Sequence, residues 1–158
     1  PRSTLFPYTT LFRSGARRLR CDAVTVRILE AGNQMPGVQR FVYIRRNQAS
    51  SRQIHLLQEG GGFQFAQVLD DEPEITIPLA NDSFSLPADT WWRIAATEDD
   101  VLSFETSPDG TNWTLRGSAQ VTMGLDDVHV SIGAGNYGGV ANPGVARFDC
   151  FNVAAPCP

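Results

Sequence analysis

The chain contains no lysine: all 13 of its basic residues are arginine, a bias that reads as the codon usage of a GC-rich bacterial genome. Positive charge is scarce as well, since 17 acidic residues outnumber the arginines and the formal net charge is −4. An acidic chain without a basic stripe lacks the electrostatic footprint that a nucleic-acid backbone selects, so no nucleic-acid partner is expected. The one basic cluster, Arg17, Arg18 and Arg20, reads as an exposed approach to a strand rather than a phosphate site. No apolar run nears the roughly 20 residues of a membrane-spanning helix. Two histidines and three scattered cysteines lack the close paired spacing of a tetrahedral metal site. Nucleophile elbows, phosphate loops and dinucleotide fingerprints are missing too; "GAGNYGG" over 133–139 follows a strand without opening a helix and reads as a flexible loop. His55 and His129 have no positioned serine or cysteine to activate, and each reads as an ordinary cross-strand neighbour.

The front of the chain stands apart. "TLFPYTTLFRS", Thr4 to Ser14, fails as a signal peptide because Pro7, Thr9, Thr10 and Arg13 interrupt any apolar core. Its eleven residues resemble instead the in-frame translation of a widely used short-read sequencing adapter. Residues 1–14 are therefore set aside as artefactual, 15–153 are expected to form one domain, and 154–158 read as a tail or linker. Without Arg2 and Arg13, eleven arginines face the 17 acidic residues and the net charge becomes −6. Three cysteines, Cys21, Cys150 and Cys157, leave one over. Cys150 with Cys157, and Cys21 with Cys150 across neighbouring strands, both fit, and the sequence does not choose between them.

From Asp22 onward the dominant period is two. Val24, Val26 and Ile28 alternate with Thr25 and Arg27; Val42 and Ile44 with Phe41, Tyr43 and Arg45; Phe63 and Phe65 with Gln64 and Ala66; Val128, Val130 and Ile132 with His129 and Ser131. Such short alternations mark half-buried strands. Further strands are expected over 53–59, 74–79, 91–97, 101–106, 112–117 and 145–153, separated by Gly, Pro, Asn and Asp clusters. No segment carries a sustained apolar stripe of helical period. About ten short strands spaced by turns predict an all-β protein, an antiparallel two-sheet jelly-roll sandwich.

The most informative stretch is "WWRIAATEDDVLSFETSPDGTNWTLRGS" over 91–118. Two strands meet at Ser107-Pro108-Asp109-Gly110, where proline fixes one dihedral, aspartate bonds nearby amides and glycine accepts a positive φ. Trp113 can fold over this turn. The hairpin resembles the aspartate box of sialidases, in which the box is structural, and Asp109 is accordingly read as a turn-former. Taken with "VTVRILEAG", "FVYIRR", "RQIHLLQEGGGFQFAQ" and "VSIGAGNYGGVANPGVARFDCFNV", the order of strands over Cys21 to Val153 resembles the concanavalin A-like lectin/glucanase superfamily, in particular its laminin-G-like accessory domains of bacterial secreted proteins.

That resemblance implies a jelly roll lacking its first strands, an extracellular location, and a larger secreted parent chain. It also implies a noncatalytic recognition module, with polysaccharide or a cell-surface glycan as partner. The alternative is a structural spacer attached to a secreted enzyme. A glycoside hydrolase is disfavoured, because catalytic members carry Glu-x-Asp-x-Glu on one strand, whereas Glu72, Glu74 and Glu105 read as solvated or turn residues. Sugar rings stack on aromatics while polar neighbours take their hydroxyls. The candidate ligand-binding residues are Tyr43, Arg45, Trp91 and Arg93, with His55, Gln64 and Tyr137 joining them; Trp91 or Trp92 is expected to pack between the sheets. No cofactor is implied beyond calcium, for which Asp99 with Asp100, and Asp126 with Asp127, are the candidate ligands beside a plainer reading as turns.

Overall fold

The computed structural model describes residues 9–13, 18–46, 52–68, 73–136, 140 and 142–154. They form eleven strands and no helix: β1 (Thr9–Arg13), β2 (Ala23–Ala31), β3 (Val38–Arg45), β4 (Gln53–Glu59), β5 (Gly62–Val68), β6 (Ile75–Ile77), β7 (Trp91–Ala96), β8 (Val101–Ser107), β9 (Thr114–Gln120), β10 (His129–Asn136) and β11 (Ala146–Ala154). One sheet has six strands in the order β1-β10-β3-β4-β5-β6, the other five in the order β11-β2-β7-β8-β9, and every pair is antiparallel. The chain is thus an all-β, two-sheet antiparallel sandwich.

Parity along each strand builds the core. Val42 and Ile44, Ile54 and Leu56, Phe63 and Phe65, and Val130 and Ile132 face inward from the six-stranded sheet. Val24, Val26, Ile28, Trp92, Ile94, Leu102 and Phe104 face them from the other. Trp92 is the tryptophan between the sheets, with its indole Nε1 donating to the Asp89 carbonyl at 3.0 Å. Around it Phe63 meets Trp92, Phe84 and Phe104 edge to face at centroid distances of 5.3, 5.4 and 5.1 Å, the arrangement that ring quadrupoles favour.

Several boundaries differ from expectation. Thr9–Arg13, inside the segment set aside as adapter-derived, pairs with Ser131–Ala134 as an edge strand; a free sheet edge accepts a β-prone segment through its backbone, whatever that segment's origin. The glycine-rich stretch expected as a loop instead prolongs β10 to Asn136, because Gly133, Ala134, Gly135 and Asn136 pair along β3 with Phe41, Arg40, Gln39 and Val38. Residues 137–139 lie outside the described residues. β6 is reduced to three residues and β9 begins after Trp113. Ala154 ends β11 rather than opening a tail. Cys150 sits in a bulge of β11 as an exposed free thiol with φ of 49°, so the Cys21–Cys150 bridge is not formed; Cys157 lies outside the described residues.

Candidate functional site

The strand order sorts the candidate residues onto two opposite surfaces. Tyr43 and Arg45 on β3, His55 on β4 and Gln64 on β5 share the outer face of the six-stranded sheet. Trp91 and Arg93 on β7 lie on the outer face of the five-stranded sheet. Tyr137 lies outside the described residues. The candidates therefore do not converge on one site, because β3 and β7 belong to different sheets.

The five-stranded face centres on the hairpin turn from Ser107 to Trp113. Ser107 Oγ donates to Asp109 Oδ1 at 3.0 Å and accepts from the Gly110 amide at 2.9 Å. Asp109 Oδ1 accepts from the amides of Thr111 and Asn112 at 2.8 Å each, and Asn112 Nδ2 donates to Asp109 Oδ2 at 2.7 Å. Those donors, the Asn112 amide foremost, hold the Asp109 carboxyl well below the usual carboxylate range. Asp109 is a turn-former, as read from the sequence. The ring lying against the turn is Trp91: a Cβ on Gly110, whose φ is +79°, would come within 3.0 Å of the indole. Arg27 stands over Trp91 at 5.7 Å, and Arg93 stacks on Trp113 at 4.1 Å while also pairing with Glu105. Trp91, Arg93 and Glu105 are thus engaged with one another's neighbours and hold the hairpin in place.

The six-stranded face is different. Tyr43 stacks on Phe41 with centroids 4.4 Å apart, Arg45 lies 5.2 Å over the Tyr43 ring, and His55 meets that ring edge-on at 5.8 Å. Arg45 Nε donates to Gln53 Oε1 at 3.0 Å. Glu74, read from the sequence as solvated, joins two candidates: Gln64 Nε2 donates to its Oε1, and His55 Nε2 stands 3.5 Å from its Oε2. It reaches both because β6 follows β5 at the sheet edge, which returns residue 74 to the end of the rows that carry Gln64 and His55. Although this face is turned from the core, Phe41, His55, Leu57, Ala66 and Ser131 are buried there, with Tyr43, Arg45, Gln53 and Gln64 half-buried around them. Burial pushes the His55 imidazole below its ordinary pKa, and Glu74 partly opposes the shift.

One member of each acidic pair weighed for calcium has an arginine as partner. Arg20 binds Asp100 through Nε at 3.1 Å and Nη2 at 2.7 Å, and reaches Asp126 at 3.4 Å; Arg18 adds a 3.2 Å contact to Asp126. A guanidinium thus stands between Asp100 and Asp126, and Arg18 and Arg20 of the basic cluster find their partners there; Arg17 lies outside the described residues. Among the described residues no group of three or more His, Cys, Asp or Glu side chains gathers as metal ligands do.

Two charged clusters escaped the sequence reading. Arg116 donates from Nε to Thr106 Oγ1 at 2.9 Å and from Nη2 to Asp89, which is 1% exposed. Arg40, also 1% exposed, donates to Gln58 Oε1 and to the Asn33 carbonyl at 2.6 Å each, and burial lowers its pKa to about 10. Arg40 was legible from parity, since it shares the inward face with Val42 and Ile44.

No family model and no curated protein matches the chain. Among solved structures, a functionally unknown protein from Saccharomyces cerevisiae is similar with a TM-score of 0.55 and 15% identity, covering 93% of this chain and 74% of that one. A scytalido-glutamic peptidase in complex with a transition-state analogue inhibitor gives a TM-score of 0.42 at 11% identity, over 91% of this chain and 77% of the other. The first likeness is one of fold alone, and the second is too distant to carry an argument.

Proposed function

We propose that this chain is a noncatalytic carbohydrate-recognition module of the concanavalin A-like kind, belonging to a larger secreted bacterial protein, and that its ligand lies on the outer face of the six-stranded sheet. The observation that carries this reading is the Tyr43 ring, edged by His55 and flanked by Arg45, beside Glu74 and Gln64. An aromatic surface with carboxylate, amide and imidazole neighbours offers both halves of sugar recognition: apolar stacking and hydroxyl hydrogen bonds. The noncatalytic part is supported by the positions of Glu74 and Glu105. They stand on the outer faces of opposite sheets, and packed sheets are roughly 10 Å apart before their outward side chains are added. Paired glycosidase carboxyls sit within about 5–9.5 Å.

Affinity electrophoresis through gels containing soluble polysaccharides tests the reading. The native chain is expected to be retarded by at least one polymer, and Tyr43→Ala or Gln64→Ala to run freely at a temperature where each variant is folded. Retardation by none, or retardation that survives both substitutions, refutes it, and the former outcome leaves the spacer role.

A further inference from the structure

An edge strand offers its outward N–H and C=O groups to any other strand, and native proteins blunt such edges by brevity, bulges, charge or cover. Without β1, this sandwich would have four edges: β6, β9, β10 and β11. Three of them are blunted. β6 is only three residues long. β9 is covered where the Ala80 amide donates to the Arg116 carbonyl at 2.6 Å, and where a Cβ on Gly117 would stand 2.7 Å from the Pro78 carbonyl oxygen. β11 carries two register shifts against β2 and exposes Arg147 and Asp149. β10 has none of these devices. From Val130 to Asn136 it contains no charged residue and no proline, it pairs with β3 in unbroken register, and Val130 and Ile132 face the core. A long, regular, uncharged edge of this kind is a template for strand addition.

The edge is filled by Thr9–Arg13, which runs antiparallel to β10 opposite Ser131–Ala134 and makes its ladder with β10 alone. Building on the reading of residues 1–14 as adapter-derived, we infer that the outer edge of β10 is a strand-acceptor site whose partner is an extended peptide segment donated by a separate polypeptide. An adapter-derived segment was not shaped for this edge, yet it pairs there; the requirement is an extended backbone with access to β10, which a separate chain supplies as well as a tethered one. Main-chain hydrogen bonds carry the affinity. The side-chain preference falls on the donor residue opposite Ile132, which shares that core-facing side of the sheet and is best apolar. Proline at a paired position removes a ladder donor and is rejected. The acceptor edge borders the six-stranded sheet, apart from the Tyr43 face, and does not depend on a sugar being bound.

The test uses the whole 158-residue chain and a fluorescein-labelled peptide of residues 8–14. Thr10→Pro combined with Phe12→Pro in the chain stops β1 from pairing and frees the edge. This double variant is expected to bind the peptide saturably in fluorescence anisotropy. The native chain should bind it at least tenfold more weakly, because its own strand competes at an effective concentration on the order of millimolar. The same peptide bearing both proline substitutions should not bind. Successive residues of an antiparallel strand turn their amides to opposite sides, so in hydrogen exchange of the double variant followed by NMR the peptide should protect alternate amides across 131–134 at least tenfold and leave those facing β3 unchanged. Absence of saturable binding, equal binding of the two peptides, or equal binding by the two chains overturns the inference. A double variant that forms a dimer which excess peptide does not dissociate gives the edge to a second copy and overturns it as well. Should the double variant fail to fold, the native chain decides: excess peptide carrying a nitroxide at its C-terminus is expected to broaden the resonances of 131–134, and unbroadened resonances overturn the proposal.

Discussion

Replacing Asp89 with alanine should be among the most damaging single changes in this molecule. Its carboxylate, 1% exposed, receives Arg116 Nη2 on Oδ1 and the Ser85 amide at 2.8 Å on Oδ2. The Arg116 side chain is itself only 9% exposed. Removing one partner of a buried ion pair strands the other charge and costs about 3–5 kcal/mol, and the lost acceptor for Ser85 adds roughly 1 kcal/mol. A total of about 4–6 kcal/mol compares with about 5–15 kcal/mol of stability for a typical domain. At roughly 2–4 °C per kcal/mol for a chain of this size, melting should fall by about 8–24 °C. Urea unfolding followed by tryptophan fluorescence reads the same loss as a lower midpoint with an unchanged slope. Asp89→Ala combined with Arg116→Met removes both charges and should cost less than Asp89→Ala alone. A loss below about 1 kcal/mol for Asp89→Ala, or a double variant whose cost equals the sum of the two singles, would refute the reasoning.

Three other outcomes are expected. Gly110→Ala puts a methyl within 3.0 Å of the Trp91 ring at a φ of +79° and should lose at least about 1–2 kcal/mol, read from thermal melts alongside the near-ultraviolet tryptophan signal. His55, its pKa lowered by burial against the opposing pull of Glu74, binds a proton less readily folded than unfolded. Its contribution is therefore intact above the unfolded value near 6.5 and declines as pH falls below it; His55→Gln should flatten the slope of stability against pH in that window. Asp109, held low chiefly by the Asn112 amide and side chain, contributes stability above its unfolded value of about 3.9 that is lost as pH falls through the folded one. Melting curves taken between pH 5 and the acid limit should show that decline in the native chain and a weaker one in Asp109→Asn.

The architecture was legible in the sequence because its strands are amphipathic at period two. Val42 and Ile44 against Tyr43 and Arg45 announce both the strand and which residues share a face, and Gln53–Glu59 forms the strand expected between its flanking turns. The Ser107-to-Trp113 hairpin was equally plain, since its hydrogen bonds are local. Partners that meet through sheet order were not. Trp91 and Arg93 have the same aromatic-then-arginine parity as Tyr43 and Arg45, and nothing local says that β7 and β3 enter different sheets. Glu74, beside Pro73, resembles a turn residue until β6 pairs with β5 and brings it to Gln64 and His55. Asp89 and Arg116 are 27 residues apart, and neither stands in a strand pattern that marks it as buried.

The two outer faces hold similar side chains and differ in how those side chains are engaged. On the five-stranded sheet, Arg27 and Arg93 each stand over an indole, Arg93 also meets a carboxylate, and Trp91 is pressed on Gly110; a ligand there would have to displace contacts that hold the hairpin. On the six-stranded sheet a buried ring nitrogen of His55 has no hydrogen-bond partner next to an aromatic ring. Composition alone ranks Trp91 above Tyr43 as a sugar platform, and the proposal made above reverses that order. The reversal is measurable. Trp91→Ala removes a half-buried ring that braces the turn and should cost about 2 kcal/mol, near half the loss for a fully buried tryptophan, while polysaccharide retardation at a temperature where the variant is folded stays at the native level. Tyr43→Ala, which removes a ring stacked on Phe41, should also lower the melt, but it should abolish retardation at a temperature where the variant is folded. If Trp91→Ala instead abolishes retardation without lowering the melting temperature, the ligand face belongs to the other sheet and the proposal is wrong.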